Sequence, residues 1–233
     1  MCSSDLRVVG GNPSAILGNL QSNGQVFLIN PAGILFGAGS VVDTAGLVAS
    51  TLNISDADFL AGRMRFVGDA ASGAITSAGM IRSGGGPVAL IAPNIENSGV
   101  IDAGGGNLLL AAGRSVTVAS PYMEHVRFEV RAPTDRAVNL GKLISDGGAV
   151  GVFAGSLQNT GEVRARSLTR DGEGRIVLSA KGSVDLAPGS SVDAGGPRGG
   201  SVRVESEEGT GSGARTVDRK STRLNSSHGY ISY

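Results

Sequence analysis

"NIENSGVIDAGGGNLLLAAG", residues 94–113, decides how this chain folds. Ile95 stands four residues before Gly99 and Ile101 two after it, each flanked by polar or small neighbours. Leu108, Leu110 and Ala112 then follow on alternate positions. Such alternation is the mark of short strands with one face buried. Gly104, Gly105 and Gly106 separate the runs, and glycine supplies the positive φ angles that sharp corners need.

The pattern recurs. Aligned on one glycine, the chain gives a column of Gly24, Gly46, Gly79, Gly99, Gly141, Gly161 and, with a slip, Gly189. Leu20, Val42, Ile75, Ile95, Ala137 and Leu157 precede it by four residues; Val26, Val48, Ile81, Ile101, Leu143 and Val163 follow it by two. The second run repeats as Val88, Leu90 and Ala92, as Leu108, Leu110 and Ala112, and as Val150, Val152 and Ala154. It returns as Ile176, Leu178 and Ala180, displaced by the loop "SLTRDGEG". The period is near 20, and the interval of 42 between Gly99 and Gly141 reads as one doubled step.

A unit this short cannot bury its own apolar face, but stacked units bury it continuously. Successive units pairing as parallel strands roughly 4.8 Å apart predict an all-β chain: a right-handed parallel β-helix, or solenoid, with a β-rich N-terminal cap. A propeller blade needs about 40 residues, twice this period. Two residues before each glycine lie Ser22, Thr44, Ser77, Asn97, Asn139 and Asn159, and the three asparagines are candidates for a structural ladder of side-chain amides. Three residues after it, Arg82, Asp102, Ile144 and Arg164 point outward, with Asp193 in the slipped last unit; Arg82 beside Asp102 predicts a mild attraction.

Composition agrees with a thin, turn-rich solenoid. Of 233 residues, 38 are Gly, none is Trp and 4% are aromatic, while the 40% hydrophobic share supports a core. Lys+Arg and Asp+Glu number 20 each, so no net field recruits nucleic acid. Cys2 is the single cysteine, which excludes an internal disulfide and a cysteine metal site; no metal or cofactor is expected. The start lacks the charged and apolar regions of a signal peptide. "MCSSDL" at residues 1–6 and "DRKSTRLNSSHGYISY" at 218–233 look like translated sequencing adapter, which leaves residues 7–217 as the expected domain, a fragment of a longer protein.

Within "SNGQVFLINPAGILFGAG", residues 22–39, Asn30-Pro31-Ala32-Gly33 is a strong turn between two apolar runs. Pro31 pre-sets φ at the second turn position, and Ala32 at the third suits a type I turn. The wider stretch "GGNPSAILGNLQSNGQVFLINPAGILFGAGSVVDTAGLVASTLNISDADFLAG", residues 10–62, resembles the amino-terminal secretion domain of filamentous-haemagglutinin-like exoproteins. That resemblance implies two-partner secretion: a dedicated outer-membrane β-barrel transporter recognises the domain, and the exoprotein folds as a β-helix outside. It also implies a secreted or surface-held adhesin, with any host receptor or glycan bound through downstream regions. The family signature is Asn-Pro-Asn-Gly-Ile, and here Ala32 replaces its second Asn. Asn30, Pro31, Gly33 and Ile34 carry over as candidates for transporter recognition or for a purely architectural turn.

Chemistry is thinly represented. Parallel β-helices include polysaccharide lyases and hydrolases, so a carbohydrate-active enzyme is the alternative reading, with Arg82, Asp102 and Arg164 on one face; yet Asp102 alone is no carboxylate pair. No catalytic residue is assigned, and the chain is not expected to be an enzyme. His125, near Tyr122 and Glu124, sits where the repeat lapses. "NISDADF", residues 53–59, predicts a helical turn capped by Ser55 or Asp56.

Overall fold

Aliphatic columns put parallel strands directly on top of one another. In one full coil, Asn94–Asn97, Val100–Asp102 and Leu108–Ala112 form three strands. The first pairs with Ile75–Ser77 on one side and Arg136–Asn139 on the other. The second pairs with Met80–Ser83 and Lys142–Ile144, the third with Val88–Ala92 and Ala149–Ala154, all in parallel. Their inward side chains form one continuous core: Ile75 under Ile95 under Ala137, Ile81 under Ile101 under Leu143, Val88 under Leu108 under Val150. This is a parallel β-helix.

The chain is seen as a computed structural model describing residues 3–118, 126–129, 135–168, 174–197, 199–207, 209–212, 215–217 and 221–226. Ser3–Arg7 and Ser14–Ile16 cap the first coil by pairing with Asn19–Ile29 and Ile34–Phe36. Ser221–Ser226 continues the pairing on Gly200–Ser206. Ser3–Arg7 overlaps the start set aside on sequence grounds, and Ser221–Ser226 lies in the end so set aside; an open sheet edge accepts any extended segment, so these pairings say nothing of function.

One corner of the coil is built from the repeat Asn-x-Gly. Gly99 sits so close to the coil beneath that an added Cβ would lie 2.0 Å from the Gly79 carbonyl oxygen, and Gly141 and Gly161 repeat that 2.0 Å approach to Gly99 and Gly141. The approach lets each carbonyl accept the next coil's N–H: Val100 on Gly79 at 3.0 Å, Lys142 on Gly99 at 2.9 Å, Glu162 on Gly141 at 2.9 Å. Backbone proximity, rather than φ, is what demands glycine here.

Register differs from expectation in the first two coils. Val42 pairs with Ile81 rather than Ile75, and Thr44 with Ser83 rather than Ser77. Gly24 and Gly46 therefore belong to the later corner, where Gly86 packs against Ala45 and Gly46. The reason is that Asn19–Ile29 and Val41–Ser50 each run through two sides of the coil as one long strand, with a bulge between Ser22 and Gln25. At the far end Ser190, not Gly189, takes the place above Gly161.

The interval of 42 is not a doubled step. Val100–Asp102 pairs directly with Lys142–Ile144, so no coil is missing. The extra residues leave the solenoid as Ser115–Val118 and Val126–Glu129, which join Met64–Val67 and Asn53–Ile54 in a separate four-stranded antiparallel sheet. This sheet covers the outer face of the early coils, burying Val48, Ala89, Ile91, Leu109 and Ala111 against Ile54, Phe66, Val116 and Val118. Helix Asp56–Leu60 lies in a first insertion, between Asn53–Ile54 and Met64–Val67, capped by the Ser55 hydroxyl, which accepts from the Asp58 N–H, and Phe59 meets Phe27 edge-on at 5.2 Å.

Candidate functional site

The turn after Asn19–Ile29 is organised by one side chain. Asn30 is fully buried. Its carboxamide oxygen accepts the Ala32 N–H at 3.0 Å, and its nitrogen donates to the Asn12 carbonyl at 3.0 Å and the Ser14 hydroxyl at 2.8 Å. Its carbonyl accepts the Gly33 N–H at 3.1 Å, closing the β-turn around Pro31 and Ala32. The turn forms with alanine in third position because the bond that holds it comes from Asn30.

Gly33 then sits at φ 129°, a backbone state that favours glycine, and its carbonyl accepts the Ser14 N–H at 3.0 Å. Ile34 is buried, its N–H donates to the Ala74 carbonyl at 3.0 Å, and it stacks between Ser14 and Ile75. Asn30, Gly33 and Ile34 thus face inward, while Pro31 and Ala32 are half-buried at the surface. The motif joins the N-terminal cap to the first two coils. Sequence periodicity gave no sign of Asn12 and Ser14 as partners, since both lie ahead of the repeats.

Asn97, Asn139 and Asn159 stand in register inside the helix, each at most 5% exposed. The Asn97 amide donates to the Asn139 carboxamide oxygen at 2.9 Å, and the Asn139 amide donates to that of Asn159 at 2.7 Å. Ser77 lies below and Leu186 above, where the column turns apolar. Buried amides carry a large desolvation cost unless paired, so each rung depends on its neighbours. Asn139→Leu keeps the γ-branched shape but strips partners from two buried amides, and is expected to lower stability by about 2 kcal/mol in urea unfolding.

The outward charges form ion pairs along the stack. Arg82 and Asp102 are neighbours in register as expected, but the ion pair of Arg82 is with Asp43 at 2.6 Å, while Asp102 accepts the Gly104 N–H at 2.9 Å. Arg164 pairs with Asp146 at 2.8 Å and Glu162 at 3.3 Å. Arg82, Asp102 and Arg164 do share a face, each committed to structural contacts. Burial pushes the Asp193 carboxyl up, yet the Gly195 N–H at 2.8 Å and the Arg166 guanidinium outweigh it and hold the group below the usual carboxylate range. A lowered pKa adds stability above the unfolded-state value, lost as pH falls through the folded one. Asp193→Asn should therefore cost about 1 kcal/mol at pH 7 and flatten the acid limb of the stability profile.

Among the described residues, no group of three or more His, Cys, Asp or Glu is placed to hold a metal ion. His125, Tyr122 and Glu124 lie outside the described residues.

The coils and the capped turn match known proteins. The fold superposes on the HMW1 secretion domain from Haemophilus influenzae with a TM-score of 0.80 and 30% identity, over 90% of this chain and 68% of that one. Heme/hemopexin-binding protein of Haemophilus influenzae is 46% identical over 48 residues, and the same protein from strain ATCC 51907 / DSM 11121 / KW20 / Rd matches equally. That match spans 21% of this chain and 5% of the relative's length. The family model described as the TPS secretion domain matches residues 6–217. The chain belongs to the TPS secretion domain family, the secretion domains of two-partner exoproteins.

Proposed function

We propose that this domain targets a longer surface or secreted exoprotein to its partner outer-membrane β-barrel transporter, and that residues 30–34 are recognised while the chain is still extended. One observation carries the reading: the Asn30 carboxamide is fully buried and engaged at both ends. In the folded domain that group has nothing left to offer a partner. In an extended chain, Asn30 through Ile34 are all accessible, so recognition precedes folding and the turn then closes the first coil. Adhesive or receptor-binding activity belongs to regions beyond this domain, and no catalysis is ascribed to it.

The reading is tested by exporting the chain from a host with and without its transporter, alongside turn variants. Ala32→Asn restores the family's residue at a half-buried surface position. It is expected to change stability by less than about 0.5 kcal/mol and to leave export at or above the starting level, measured as secreted protein per cell. A drop in export with the fold intact would count against the proposed role of the motif.

A further inference from the structure

Residues 68–74 leave the outer sheet after Met64–Val67, re-enter the solenoid at Ile75–Ser77, and cross the turn on the way. The Gly73 N–H donates to the Pro31 carbonyl at 2.8 Å, and the buried Thr51 hydroxyl donates to the Gly73 carbonyl at 2.8 Å. The contact is tight: a Cβ on Gly73 would lie 2.6 Å from the Ala32 carbonyl oxygen. The other end is pinned from the second insertion, where the Gly68 N–H donates to the Arg114 carbonyl at 2.9 Å and the Arg114 guanidinium donates to the Asp69 carbonyl. Arg114 also pairs with buried Asp135 at 3.4 Å. Between the pins the Asp69 carboxylate accepts the Ala71 N–H at 2.8 Å and the Ser72 hydroxyl accepts the Asp69 N–H at 3.1 Å, so the segment is a shaped loop.

We infer that residues 68–74 are a strap whose closure over residues 30–33 withdraws the turn from the transporter. This rests on the reading that the transporter binds that segment extended. The pin is Arg114, far downstream of the turn, so the strap shuts only when the chain through Arg114 is free to fold. Occlusion of the turn is thereby coupled to completion of the early coils and their outer sheet, which favours release over rebinding.

Gly73→Ala and Thr51→Val, made separately in the full chain, test this. Thr51→Val preserves volume, which keeps the test open if Gly73→Ala fails to fold. Hydrogen exchange at the Ala32 and Gly33 amides is expected to accelerate about five- to tenfold, the equivalent of one lost hydrogen bond, while Leu110 and Leu143 keep wild-type rates. The cognate transporter, purified in detergent, should retain the chain diluted from urea but not the folded wild type, and should capture the folded strap variants about five- to tenfold more than the folded wild type, in step with their faster opening. Unchanged exchange at Ala32 and Gly33, or equal retention of folded and unfolded wild type, overturns the strap. Retention of no form at all, unfolded chain included, defeats the recognition reading instead, and the exchange rates still judge the strap.

Discussion

Gly141→Ala is expected to destabilise the domain by about 3 kcal/mol or more. The added methyl would sit 2.0 Å from the Gly99 carbonyl oxygen, and that oxygen is also the acceptor for Lys142. Neither can move without breaking the bond that joins two coils. Backbone has no rotamer to change, unlike a flexible side chain, so the strain opens the corner. Opening it also pulls Asn139 away from Asn97 and Asn159, since the three amides are spaced by the same coil-to-coil contact. Gly39→Ala is the control: it is exposed, with nothing within 4 Å of the new methyl, and should shift stability by less than about 1 kcal/mol. Urea unfolding followed by circular dichroism separates the two.

Asn30→Ala should cost about 3 kcal/mol and abolish export. Three hydrogen bonds vanish together, to Ala32, Asn12 and Ser14, and the site is fully buried. Asn30→Asp is expected to fail as well, because its carboxylate would face the Asn12 carbonyl with no proton to donate. Ser14→Ala separates architecture from recognition. It removes one partner of the turn, at about 1 kcal/mol, without touching residues 30–34. A chain with Ser14→Ala should still be retained by the transporter when unfolded, whereas one with Asn30→Ala should not. Equal retention of the two would assign the motif to architecture alone.

How far the sequence discloses this molecule depends on which residues repeat. Val88, Leu108, Val150 and Ile176 fall in one column because each faces the same narrow interior, and a column of that kind is visible as periodicity. The Asn-x-Gly corner is visible for the same reason, its amide and its glycine being constrained by the coil below. The insertions escape, because Ser115–Val118 and Met64–Val67 pair antiparallel across a long stretch of chain and share no period with the coils. A sign of their presence is nonetheless written in "VALIA" and "LLLAA", strands apolar on both faces, which means that something covers the outside. The early register is hidden because Gly24 and Gly46 resemble the Asn-x-Gly glycines of the later coils, although they sit at the following corner, which Asn19–Ile29 and Val41–Ser50 cross as continuous strands. The turn itself is plain in the sequence, but its partners Asn12, Ser14, Thr51 and Gly73 are set by folding over long separations and leave no local trace.

On the proposed reading, this domain leaves the cell through a partner that recognises it. The most direct measurement is the amount of the domain outside the outer membrane when it is expressed with a signal peptide, with and without the cognate transporter. Export with the transporter, none without it, and none for Asn30→Ala in either case is the predicted result. Equal export in the absence of the transporter would contradict the account.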